Sequence, residues 1–237
     1  MNAEQVLRQL EPLGTAGYRK TLSNHGIPQP LFGVKIADMK RLLKEWRIKK
    51  DYQLALDLYD TGNYDARYLA GLIADERHMS RDELRKWADT ANCSALRQCA
   101  VAWVSAESAH GHALALQWID SGQAALASTG WATLGGLVAL RPDSELNTVE
   151  LRGLLLRVQQ QIHEQPDDVR YTMNNFVIAV GSYVAELTDL AIETGAQIGR
   201  VSVDMGDTAC QMPFAPDYIR KVQARGSIGK KRKTVRC

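Results

Sequence analysis

Trp103 and Glu107 stand four residues apart in a helical run, so an indole ring and a carboxylate can face one surface. Such a pair can set a negative charge beside an aromatic platform. The same spacing equally serves a Trp that fills the core and a Glu that caps or pairs locally. Arg170, Asn174 and Gly181 fall on one helical stripe, with Tyr171, Asn175, Ile178 and Ser182 on the next. Adjacent asparagines are poor mid-helix residues and need a hydrogen-bonding reason, either a ligand's polar edge or a neighbouring helix. Lys230-Lys231-Arg232-Lys233 with Arg236 is the strongest electrostatic signal. It can grip phosphates with steep salt dependence, or simply keep the chain soluble.

Other chemistries recede. Cys93, Cys99, Cys210 and Cys237 form no CxxC pair and no disulfide framework. His25, His78, His110, His112 and His163 lack metal-ligand spacing, so neither a metal nor another cofactor is expected. Asp204, Asp207 and Cys210 cluster, but the acids would raise the thiol's pKa, and turn chemistry is the better reading. Trp131, among Gly130, Gly135 and Gly136, reads as core packing, with the paired glycines marking a helix kink.

The net charge of +2 is uneven. Eight basic residues and no acid follow position 219, which leaves −6 for residues 1–219. A nucleic-acid binder usually carries a basic face, and here the visible one is the tail. No apolar run approaches the roughly 20 residues that cross a bilayer, and the N-terminus lacks a signal-peptide pattern. A cytoplasmic protein with no membrane partner is expected.

The elements that must position these residues are helices. Met39, Leu42, Leu43 and Trp46 make an i, i+3, i+4, i+7 stripe in the run 36–46. Ser80-Arg81-Asp82-Glu83 has capping-box spacing and opens a helix carrying Leu84 and Trp87. Periodicity predicts further helices over 3–10, 15–24, 52–60, 65–77, 93–106, 111–120, 123–139, 146–163, 167–184 and 186–198. Pro28, Pro30, Gly62, Gly111, Gly122, Pro142 and Pro166 punctuate them. After Gly199 the pattern becomes short alternation, and Pro216 suits the start of a last short helix. Helix pairs recurring at roughly 35–45 residues suggest an all-α, curved α-solenoid of HEAT-like repeats, with an irregular bundle as the alternative. The organisation expected is a repeat domain over 1–199, an irregular segment with a packed helix over 200–226, and a basic tail over 227–237 that is mobile unless a partner orders it.

Four segments resemble the AlkD-like family of HEAT-repeat DNA alkylation-repair proteins. They are Gly26-Ile27-Pro28 with Phe32-Gly33-Val34-Lys35-Ile36, and the run from Tyr64 to Leu140 with Ala102-Trp103-Val104-Ser105-Ala106-Glu107 and Thr129-Gly130-Trp131. The others are Arg170-Tyr171-Thr172-Met173-Asn174-Asn175-Phe176, and Val203 to Cys210 with Ala215-Pro216-Asp217-Tyr218-Ile219. The last two look like a divergent subgroup.

The resemblance implies binding of duplex DNA on a solenoid face and, in active members, excision of positively charged N-alkylated bases. That chemistry needs a carboxylate near the developing oxocarbenium ion, aromatic rings against the lesion, and arginines on phosphates. The family's catalytic aspartate falls near Gln98, its preceding Trp near Ser94, and its later Trp and Arg near Ile178 and Gly181. A neutral Gln supplies no charge, so the glycosylase reading for alkylated purines passes to Glu107, with Trp103 as platform. Trp103, Arg170, Asn174, Asn175, Lys230, Lys231, Arg232, Lys233 and Arg236 are then the DNA contacts. The alternative is a noncatalytic helical-repeat scaffold for a protein partner.

Overall fold

Helix starts are written into the sequence as caps. Asn2, Thr15, Asp51, Asn63, Ser80 and Asn147 each accept, through a side-chain oxygen, the amide three residues on. Each cap satisfies a donor that the first turn leaves without an intrahelical partner. The computed structural model describes residues 1–205 and 211–236, and among them every regular element is helical. Asp207 and Cys210 lie outside the described residues.

The chain forms two compact units. The first holds residues 1–110 together with Met205 and Arg236. Its helices are α1 (Ala3–Leu10), α2 (Ala16–Asn24), α3 (Ile36–Trp46), α4 (Tyr52–Asp60), α5 (Tyr64–Ile73), α6 (Arg81–Thr90) and α7 (Ala102–Glu107). A π-helical turn, Leu96–Val101, leads into α7 and interrupts the single helix expected over 93–106. The helix expected to reach residue 77 stops at Ile73, where Ala74 turns extended at ψ 139°.

α4 packs on α5, and α5 packs on the π turn. That last contact is backbone-close: a Cβ on Gly71 would sit 2.6 Å from Ala100 Cα. Tyr59 stacks on Trp87 at 4.1 Å between ring centroids and donates its hydroxyl to the Trp87 carbonyl at 2.8 Å. Burial pushes the Tyr59 hydroxyl pKa up, so it remains a neutral donor.

The second unit holds α8 (Gly111–Ile119), α9 (Ala124–Leu140), α10 (Thr148–Gln161), α11 (Asp167–Tyr183), α12 (Thr188–Ile198) and α13 (Ala215–Ala224). α9 is one uninterrupted helix through Gly135 and Gly136. It meets α8 at Gly130, where a Cβ would lie 2.7 Å from the Ala115 carbonyl oxygen. It also packs along α11, with Trp131 and Phe176 rings 5.1 Å apart, so Trp131 is core. α13 seats on α11 and α12 through two further gaps. A Cβ on Gly181 would meet Ile219 Cδ1 at 2.5 Å, and one on Gly195 would meet Pro216 Cδ at 2.9 Å.

No single helix among the described residues is long and apolar enough to cross a membrane. The C-terminal stretch corrects an expectation. Residues 227–236, read from composition as mobile, are tied down by backbone and side-chain bonds to the helix ends described below.

Candidate nucleic-acid interface

The pair Trp103 and Glu107 does share α7, as the spacing required. Trp103 is only 8% exposed and meets Tyr68 edge-on, with ring centroids 5.6 Å apart. Buried to that extent, it offers no open platform to a base. Glu107 lies beside Arg236, with Oε2 3.0 Å from the guanidinium Nε, a close ion pair whose N–H direction is poor for a hydrogen bond. The two side chains are 12% and 9% exposed. Charge stabilisation of an oxocarbenium ion needs a carboxylate whose field is not already compensated. The sequence reading of Glu107 as a substitute catalytic group is corrected on that ground. Gln98 is half-buried within the π turn.

Arg236 does more than neutralise Glu107. Its Nη2 reaches Glu76 Oε2 at 2.8 Å, and its Nη1 donates to the carbonyls of Ala74 at 2.7 Å and Leu72 at 3.3 Å. Those carbonyls lie at the C-terminal end of α5, where helix acceptors are unsatisfied and the dipole favours a cation. Burial draws the guanidinium pKa below its usual value, and Glu107 pulls the other way. Lys50 also pairs with Glu76.

Asn174 is 2% exposed, and its amide donates to the Pro213 carbonyl at 3.0 Å. The mid-helix asparagine thus answers to the segment that precedes α13, and not to a base edge. That corrects its reading as a DNA contact; Gly181, on the same stripe, leaves room for Ile219. Arg170 is partly exposed and pairs with Asp167 on its own helix. Asn175 is half-buried on the neighbouring stripe. The Asp167 carboxylate also accepts the Asp204 amide at 2.9 Å.

In the tail, Lys231 is 19% exposed, and its Nζ lies 2.9 Å from the Val138 carbonyl and 2.7 Å from Asp143 Oδ1. The Arg232 amide donates to the Ala139 carbonyl at 2.8 Å, at the end of α9. The Gly229 amide donates to Ser182 at 3.0 Å, at the end of α11. Lys230, Arg232 and Lys233 remain exposed. Basic residues that composition groups together therefore do two different things. Lys231 and Arg236 close helix ends, while the other three face solvent.

Residues 6–208 match the family model described as "DNA alkylation repair enzyme". The chain belongs to this family. Two Listeria proteins, Lin0241 of Listeria innocua and Lmo0209 of Listeria monocytogenes, are each 30% identical over 226 residues, covering 94% of this chain and 97% of each relative. A solved structure superposes over 100% of both chains with a TM-score of 0.91 at 34% identity. It is described as belonging to a new family of proteins related to the HEAT-like repeat DNA glycosylases with affinity for branched DNA structures. This DNA alkylation repair family member thus has the HEAT-like helical repeat fold.

The family resemblance also included Phe32-Gly33-Val34, whose anchor the sequence did not disclose. Asp65, fully buried, accepts the amides of Phe32 at 2.6 Å, Gly33 at 3.1 Å and Val34 at 2.8 Å. Gly33 adopts φ +78°, and a Cβ there would lie 2.6 Å from Arg19 Cγ. Arg19 in turn donates to the Phe32 carbonyl at 3.0 Å. One acid at the start of α5 therefore fixes the entry to α3. The only sequence hint for the docked tail was Val235, a lone apolar residue in a basic run, now 8% exposed.

Proposed function

We propose that this alkylation-repair family member binds DNA without excising bases, and that it prefers branched over linear duplex DNA. The observation that carries the reading is the full-length likeness, at TM-score 0.91 and 34% identity, to a protein described as having affinity for branched DNA structures. Two local features support the noncatalytic half. The position near Gln98 holds a neutral amide, and the substitute carboxylate weighed from the sequence, Glu107, carries its own cation. DNA contacts are assigned to Arg170, Asn175 and the exposed tail cations. Arg170 and Asn175 are at least partly accessible on α11.

The test is a pair of assays on one preparation. Affinity for a four-way junction and for linear duplex of the same sequence is measured over a salt series. Release of free base from an N-alkylated duplex is followed in parallel. Tighter junction binding with no base release is expected. Base release that disappears in Glu107→Gln would restore the catalytic reading, and absence of DNA binding at low salt would remove the DNA reading altogether.

A second reading has one observation in its favour. Val149 and Leu156, one heptad apart on α10, are 77% and 52% exposed, an apolar edge suited to a protein partner. If the protein binds no DNA, the scaffold reading takes its place.

A further inference from the structure

We infer that residues 230–233 form a preset phosphate-binding ridge, in which Lys230, Arg232 and Lys233 contact the DNA backbone while Lys231 holds the segment in place. This rests on the DNA-binding reading above and divides the tail within it. A basic terminal run ordinarily meets DNA as a mobile polycation that must be ordered on binding, and ordering opposes association. Here the ordering is already done by folding.

Three bonds fix the segment on the second unit: Gly229 to Ser182 at 3.0 Å, Arg232 to Ala139 at 2.8 Å, and Lys231 to Val138 at 2.9 Å. All three acceptors are carbonyls at the ends of α9 and α11, which lack intrahelical donors and carry the negative end of the dipole. Val235, 8% exposed, adds an apolar anchor. Exposure then sorts the cations. Lys231 is 19% exposed and paired with Asp143, whereas Lys230, Arg232 and Lys233 are exposed with no ion pair found among the described residues.

Three uncompensated cations within four positions, on a backbone that cannot swing away, match a polyanion of regularly spaced phosphates. They carry no means of reading a base. The contact is therefore sequence-independent, and its salt dependence is set by those three side chains alone.

The experiment compares the full-length protein with two variants, Lys230→Gln/Arg232→Gln/Lys233→Gln and Lys231→Met. Labelled four-way junction is titrated between about 50 and 200 mM salt, where each lost phosphate contact changes the slope of log K against log salt by about 0.9. The triple variant should show a slope shallower by about two to three on that scale, with an unchanged melting temperature. Lys231→Met should melt lower and keep the wild-type slope. A triple variant that binds the junction with the wild-type slope would overturn the ridge while leaving the DNA reading intact. Wild-type protein that fails to bind at low salt would instead bring down the DNA reading itself, and the ridge with it. Loss of binding only to phosphatidylserine-containing vesicles, with junction binding intact, would overturn the ridge in favour of a membrane surface.

Discussion

Arg236 and Glu107 lie 3.0 Å apart, Nε to Oε2, with both side chains withdrawn from water. A residue from the C-terminal run and the last residue of α7 thus share one site, and Glu76 completes it at 2.8 Å from Nη2. Removing the guanidinium takes the Arg236 cation from Glu107, leaves Glu76 to Lys50, and takes the donor from the carbonyls of Leu72 and Ala74. Breaking a buried pair by deleting one partner is far costlier than never having built it. Arg236→Gln should therefore destabilise the protein by about 2–4 kcal/mol, read as a lower urea midpoint. Glu107→Gln, which leaves Arg236 with Glu76, should cost less. If the two variants were equally stable, the pair would not be the anchor it is taken to be.

Asp65 controls the loop before α3. Asp65→Ala leaves the amides of Phe32, Gly33 and Val34 without their acceptor in a buried setting. The expected cost is about 3 kcal/mol or more, with Asp65→Asn intermediate because one acceptor oxygen survives. Hydrogen exchange localises the effect: protection of these three amides should fall before that of helix α5.

Two glycine substitutions should move stability in opposite directions. Gly153 is exposed in α10, and a Cβ there meets nothing within 4 Å. Gly153→Ala should stabilise by up to about 1 kcal/mol through helix propensity. A Cβ on Gly71 would press at 2.6 Å on both Ala100 Cα and Cβ, which are backbone-fixed and cannot turn aside. Gly71→Ala should cost about 1–3 kcal/mol. Thermal melts of the two variants beside the parent decide the matter.

Glu83 gives a pH signature. Burial alone would raise its pKa, but hydrogen bonds from Tyr52 Oη at 2.5 Å and from the Ser80 amide at 2.7 Å and hydroxyl at 2.8 Å outweigh it. Its folded value therefore lies below the ordinary 4.5. A depressed carboxylate pKa contributes stability above the ordinary value and loses it as pH falls through the folded one. Glu83→Gln should lower the urea midpoint at pH 7, with the gap to the parent closing below pH 4.5. A gap constant with pH would mean that the capping box owes nothing to the charge.

Local rules carried much of the fold. Asn2, Asp51, Asn63, Ser80 and Asn147 announce helix starts because a cap is satisfied by amides three residues away. Stripes such as Met39 and Leu42 mark buried faces because a helix repeats every 3.6 residues. The early break of α5 at Ala74 and the π turn at Leu96–Val101 escaped the same rules. Neither feature leaves a periodic trace, and the close approach of Gly71 to Ala100 is seen only in the folded chain.

The candidate site divided along the same line. Sequence alone determined which side chains could carry charge, that Trp103 and Glu107 share a helix, and that the C-terminus is a basic run. Only the folded chain decided what each charge meets. Arg236 reaches acceptors 160 or more residues away, and Lys231 one that is 93 residues away. Coulombic and hydrogen-bond partners act through space and not along the chain. A string of basic residues therefore cannot state which of its members are already spent on helix ends and carboxylates, and which still face solvent.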